Sequence, residues 1–189
     1  MIYFNNFPQI NYSMDKSKDT NLVTNIFNRF APLETVLKQS LVYYPYFIED
    51  GETPEIVSFK MYDTMDYHWI IMMFNQIHNP YYQWPLSYDQ FNSFLEYKYG
   101  SMEASTQQIH HYEYIIQQKE RLYDGTIIEE KSLIVDEDMF NTLDFSERRI
   151  VYNYDYELNL NESKRKIQIL DSIFIPQILQ EKAIIFNNG

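Results

Sequence analysis

Residues 43–85 read YYPYFIEDGETPEIVSFKMYDTMDYHWIIMMFNQIHNPYYQWP, and this stretch decides the fold. Residues 41–48 are rich in Tyr and read as a strand, since aromatic and β-branched side chains suit a pleated, half-buried surface. Gly51-Glu52-Thr53-Pro54 then reads as a turn into a helix. Thr53 can cap the helix, and Pro54 falls at its first position, where the missing N–H costs nothing. The helix runs to about Tyr62. Asp63-Thr64 restarts a second one, in which Met65, Trp69, Met73 and Ile77 recur at helical spacing, and Asn79-Pro80 reads as its stop. Residues 83–86 read as extended. The pattern is a compact β-α-α-β unit with an aromatic exit and no visible catalytic chemistry.

On the N-terminal side, residues 1–42 read as an arm. It has a short aromatic segment at 2–7, a polar stretch at 11–21, and a short helix at 25–30 that Thr24 caps and Ala31-Pro32 ends. On the C-terminal side, Ser87 and Gln90 form a capping box, Phe91, Phe94 and Leu95 share one apolar face, and Gly100 stands where a C-terminal cap belongs. A polar linker, 101–108, precedes strands at 110–116 and 126–129, which flank the turn signal Asp124-Gly125. Residues 136–144 read as a short helix or loop. Ile150, Tyr152, Tyr154, Tyr156 and Leu158 alternate with Val151, Asn153, Asp155 and Glu157, which is the period of a strand. An antiparallel return over 164–170 would set Lys164, Arg165 and Lys166 against Asp155 and Glu157, and a helix over 173–186 ends the chain. The expected architecture is α+β: an arm (1–42), the β-α-α-β module with its following helix (43–100), and a strand-rich region (101–189) carrying a β-hairpin plus helix.

The 189 residues suffice for one domain with a substantial core or for two small ones. With 45% hydrophobic residues, 18 Tyr and 13 Phe, the composition is far from that of a disordered chain. So many rings that are apolar on the face and polar at the tip suit protein interfaces. The net charge of -12 argues against nucleic acid and anionic membranes, which both select clustered Lys and Arg. Residues 111–160 hold twelve acids against five basic residues, either as a solvated acidic face or as a surface for a basic partner. There is no Cys, which removes disulfides, thiolate metal sites and cysteine nucleophiles. The first residues do not resemble a signal peptide, and the longest apolar run, 69–74, is far short of the roughly 20 residues a transmembrane helix needs.

The motifs that carry chemistry are missing. His110 and His111 are adjacent, so on a regular strand they point to opposite faces and cannot chelate one ion together. His68 and His78 lack metal-ligand spacing. No P-loop, dinucleotide fingerprint or nucleophile elbow exists. Asp136-Glu137-Asp138 lacks the alternation and central Gly of a calcium loop. A carboxylate pair for wall hydrolysis is left open but without support, since two such acids can stand anywhere in a chain. No catalytic residue, metal ligand or cofactor site is expected. Tyr81, Tyr82, Trp84 and Pro85 form a dense aromatic loop that reads either as a flap over Trp69 or as a docking surface.

Residues 43–85 resemble a LysM-like module: Gly51-Glu52-Thr53 stands for its Gly-Asp-Thr turn and Asn75 for the Asn that closes its second helix. The resemblance implies an alternative function, peptidoglycan binding by a tail-associated wall-binding protein. The whole chain resembles the baseplate wedge proteins of contractile-tailed bacteriophages, the family of the T4 gene-53 product. The resemblance rests on Tyr3-Phe4-Asn5-Asn6-Phe7-Pro8, Asp50-Gly51-Glu52-Thr53-Pro54-Glu55, Tyr67-His68-Trp69, residues 75–80 with Trp84-Pro85-Leu86, Lys98-Tyr99-Gly100, His110-His111-Tyr112-Glu113-Tyr114, residues 152–157 and Leu160-Asn161-Glu162-Ser163-Lys164-Arg165. Residues 117–148 match poorly and read as a variable insertion. This resemblance implies a non-enzymatic virion protein, assembled in the host cytoplasm, that joins neighbouring wedges into the sixfold inner baseplate around the tail hub. The implied partners are the large dimeric wedge protein, a small sheath-initiator-like protein and hub-proximal proteins. The candidate contact residues are Tyr81, Tyr82, Trp84, His110, His111, Tyr112, Tyr152, Tyr154, Tyr156 and Arg165.

Overall fold

A computed structural model describes residues 2–13, 20–30 and 43–187, in a mixed α+β arrangement with several small antiparallel sheets. It divides into two compact units, residues 1–85 with 164–189 and residues 86–163. The first unit opens with a hairpin of β1 (Gln9–Tyr12) and β2 (Asn21–Thr24), Gln9 opposite Thr24. The helix expected at 25–30 does not form. The Asn25 N–H donates to Pro8 O at 2.8 Å, and Asn25 Oδ1 accepts from the Phe27 N–H at 3.1 Å, a local turn that competes with helix initiation. The expected stop at Ala31-Pro32, and Leu41 and Val42 of the expected strand, lie outside the described residues.

β3 (Tyr43–Phe47) leads into α1 (Pro54–Tyr62), which Thr53 caps and Pro54 opens, as its sequence dictates. Asp63 ends α1 in the left-handed region (φ 57°), its N–H on Phe59 O. A 3-10 turn, Met65–Tyr67, then feeds α2 (His68–Phe74). Asn79-Pro80 starts an element rather than stopping one: Asn79 Oδ1 accepts from the Tyr81 N–H, and Pro80 opens the single turn α3 (Pro80–Gln83). The extended segment expected at 83–86 is thus helical at Gln83 and makes no strand pairing.

The second unit begins with α4 (Tyr88–Tyr99), where the Ser87–Gln90 capping box and the Gly100 cap (φ 87°) both form. The expected polar linker is instead α5 (Met102–Gln107), capped by Ser101, whose Oγ accepts from the Ala104 N–H at 3.0 Å. β4 (Ile109–Gln117) follows, then the small pair β5 (Glu120–Arg121) and β6 (Ile127–Ile128) around the Asp124-Gly125 turn. β7 (Lys131–Val135), α6 (Glu137–Thr142) and β8 (Arg148–Tyr152) come next, and β4 is the central strand of the antiparallel order β7-β4-β8.

The strand expected over 150–158 stops at Tyr152, and Asn153–Ser163 is helix α7. The buried residues of α7 are Asn153, Glu157 and Asn161, a polar stripe at helical spacing that an apolar count cannot see. Each has partners. Asn153 Nδ2 donates to Gln108 Oε1, Glu157 takes Lys98 and the Tyr99 hydroxyl (2.9 Å), and Asn161 bonds both the N–H (2.7 Å) and the C=O (3.1 Å) of Leu86.

The expected C-terminal hairpin is therefore not made. β9 (Lys166–Leu170) returns to the first unit and pairs antiparallel with β3, Tyr43 opposite Leu170 and Phe47 opposite Lys166. Lys164, Arg165 and Lys166 do not meet Asp155 and Glu157. Arg165 is buried and donates to Ile48 O and Asp50 Oδ1. A 3-10 turn, Ser172–Phe174, then precedes α8 (Ile175–Asn187).

The core of the first unit forms on both sides of α2. Ile71 packs with Ile48, Val57, Trp84, Ile167 and Ile169. Trp69 and Ile70 pack with Phe7, Phe30, Leu170, Ile175, Ile178 and Phe186. Each such side chain contributes about 1.5–3 kcal/mol by leaving water. The N-terminal aromatic segment is part of this core, with the Phe7 and Phe186 ring centroids 4.4 Å apart. Lys182 is buried with its ammonium 5.3–5.8 Å from the centres of the Tyr3, Phe7 and Trp69 rings, and burial lowers its pKa.

Candidate partner-contact surfaces

In the first unit the aromatic loop divides by orientation. Asn79 and Pro80 fix the turn so that Tyr81 (86% exposed) and Tyr82 (76%) face solvent, while Trp84 (7%) turns inward. The Trp84 indole N–H donates to Glu52 O at 2.7 Å, so the exit loop is fastened on the turn that opens α1. Glu52 is itself buried. Its carboxylate accepts from the Glu49 N–H (2.8 Å) and the Tyr46 hydroxyl (2.9 Å) and pairs with Lys60. Burial pushes the Glu52 carboxyl up, but these bonds outweigh it and hold it below the ordinary range. Burial and the bond to Glu52 push the Tyr46 phenol up to about 12. Arg165 belongs to the same core and is no surface feature.

The remaining candidates gather in the second unit. Tyr112 is half-buried against Phe140 (centroids 4.6 Å), and Tyr154 meets Phe91 edge-on at 6.0 Å. Tyr152, the last residue of β8, is half-buried opposite Ile109. Tyr156 lies flat on His110, with centroids 3.7 Å apart and planes inclined by 13°. The two histidines do not point to opposite faces. The β4–β8 register shifts between Ile109 and His111, and this irregularity brings His110 Nδ1 to 2.7 Å from His111 Nδ1. Among the described residues, no group of three or more His, Cys, Asp or Glu is placed to hold a metal ion.

Sequence reasoning missed the charged network beside these rings. Arg149 lies opposite Glu113 in the β4–β8 register and bonds it through Nε at 2.8 Å, while its Nη2 reaches Glu130 Oε1 at 2.6 Å. His111 Nε2 is 3.3 Å from Glu113 Oε1. Burial raises the Glu113 pKa, but the bonds from Arg149 and His111 outweigh it and leave a net lowering. With Asp155 and Tyr156 these groups line a cavity of about 650 Å³. Glu113 and Arg149 stand 36 positions apart, so no local spacing could pair them. The repeat Asn153, Glu157, Asn161 has the spacing of a buried helix face, but a reading of apolar periodicity passes over it because its members are polar.

The second unit holds sixteen Asp and Glu against six Lys and Arg, so it carries -10 of the chain's -12. No helix among the described residues is long and apolar enough to cross a membrane. No curated protein matches the chain. The model of the family described as "Base plate wedge protein 53" matches residues 1–180, and the chain therefore belongs to this family of structural, non-enzymatic components of the phage tail baseplate.

Proposed function

We propose that the protein joins neighbouring wedges into the sixfold inner baseplate around the tail hub. Several copies would act together with the large dimeric wedge protein, a sheath-initiator-like small wedge protein and hub-proximal proteins. The family match over residues 1–180 carries this reading. Two features support it: the exposed Tyr81-Tyr82 pair, of a residue type favoured at interface centres, and the concentration of negative charge in residues 86–163, which suits basic partner surfaces.

In the same reading β3, α1, α2 and β9 make a LysM-like β-α-α-β module, with residues 86–163 inserted before its closing strand. The carbohydrate-binding alternative needs an open groove along residues 53–84. Trp84, buried on Glu52 O, weighs against one there.

The test is baseplate assembly from phage lacking this protein. The expected result is complete single wedges that do not close into sixfold rings, with closure restored by the wild-type chain and impaired in the Tyr81→Ala/Tyr82→Ala double variant. Sixfold baseplates that close without the protein overturn the joining role. Saturable binding of chitin oligomers by the purified chain supports the carbohydrate reading instead.

A further inference from the structure

The two rings at the start of β4 form an unusual contact. His110 Nδ1 and His111 Nδ1 are 2.7 Å apart, a hydrogen-bond distance between two atoms that can each donate or accept. One proton, and only one, fits in that gap. His111 Nε2 faces the Glu113 carboxylate, which only accepts, so His111 carries its proton on Nε2 and accepts at Nδ1. His110 therefore donates from Nδ1, and its Nε2 is the ring nitrogen still without a proton. The neutral pair holds two protons on four nitrogens. A first excess proton goes to His110 Nε2 and leaves the shared proton in place. A second would put two N–H groups against each other in the 2.7 Å gap.

We propose that the His110–His111 pair is a two-step acid latch, which holds the Tyr156 turn of α7 against the sheet with no or one excess proton and loosens it on the second. The mechanical link is Tyr156 of α7, stacked on His110 at 3.7 Å. When His110 turns away to separate the two N–H groups, that stack is lost.

The surrounding charges set the steps apart. On β4, the Glu113 carboxylate faces His111 Nε2 and is shared with Arg149 of β8. On α7, Glu157 favours protonation of His110, but Lys98 and Tyr99 of α4 already occupy its carboxylate. Asp155 of α7 and Glu130, just before β7, line the same cavity as His111. Burial, His111 and Lys98 lower the His110 pKa. The two rings share one hydrogen bond, so the steps belong to the pair rather than to either residue. The latch rests on the geometry of residues 86–163 alone. Under the assembly reading, acid would loosen one of the contact surfaces.

The experiment uses the full chain, ¹⁵N-labelled at histidine, and follows ring-nitrogen shifts and the amide exchange of residues 153–163 from neutral pH into acid. The latch predicts a nitrogen–nitrogen coupling across the Nδ1···Nδ1 bond at neutral pH and two separate protonation steps. Protection of residues 153–163 should survive the first step and fall about tenfold or more at the second. The His110→Phe variant, which keeps a ring on Tyr156 but takes no proton, should lose the second step and stay protected. Three results each overturn the latch: no coupling at neutral pH, protection that is indifferent to the second step, or the same acid release in His110→Phe.

Discussion

Asn75 closes the outer edge of β9 by bonding Gln168 in both directions. Its Nδ2 donates to the Gln168 carbonyl at 2.7 Å, and its Oδ1 accepts from the Gln168 N–H at 2.8 Å. β3 occupies the other edge of β9, so one side chain does the work of a third strand. Nδ2 also reaches Ile71 O at 2.8 Å, which ties the end of α2 to the strand.

Asn75→Ala should destabilise the first unit by about 1–3 kcal/mol, because the strand edge is exposed and water replaces part of what is lost. Asn75→Asp should cost more, since a carboxylate would face two carbonyl oxygens. Urea unfolding midpoints compare the two. Equal stability of Asn75→Ala and wild type would contradict the edge-closing role.

Trp84 combines ring burial with one hydrogen bond, and two variants separate them. Trp84→Phe keeps most of the burial and leaves Glu52 O without the indole donor, at a cost of about 1–2 kcal/mol. Trp84→Ala removes both and should cost about 3–5 kcal/mol. Thermal unfolding monitored in the far ultraviolet would rank them.

Acid should weaken the first unit through Glu52. Its folded pKa lies below the ordinary 4.5, so its stabilisation is complete above that value and fades as pH falls through the folded pKa. Glu52→Gln should be less stable than wild type at neutral pH, and the gap should narrow as the pH falls below 4.5. Parallel denaturation series across that range give the answer, and a pH-independent difference would refute it.

Asn161 satisfies both backbone groups of Leu86 from a buried position. Asn161→Ala should cost about 1–3 kcal/mol through the loss of its two bonds to Leu86. Amide exchange at Leu86 should accelerate, which a cavity elsewhere would not cause.

Phe7 tests whether the N-terminal segment is integral to the first unit. Phe7→Ala empties a site beside Phe186 and should cost about 3–5 kcal/mol, with a matching fall in melting temperature. A neutral result would mean that the aromatic segment only decorates the core.

The sequence by itself determined the elements whose causes are local. Thr53-Pro54 starts α1, Ser87 with Gln90 starts α4, Gly100 ends it, and Asp124-Gly125 turns the chain, because each cap or turn is a contract between residues a few positions apart. Membership of the baseplate wedge family was likewise legible, since ordered motifs along the chain carry it. Tertiary structure decided the rest. β9 pairs with β3 more than a hundred residues away, and α7 forms because Lys98, Tyr99, Gln108 and Leu86 satisfy a polar stripe that would otherwise be costly to bury. A slip in one strand pairing brought His110 against His111, and the orientation of one helical turn sent Trp84 inward while Tyr81 and Tyr82 faced out. Alternation along a chain cannot distinguish an amphipathic strand from a helix that buries hydrogen-bonded polar groups, because the distinction lies in partners that only the folded chain supplies.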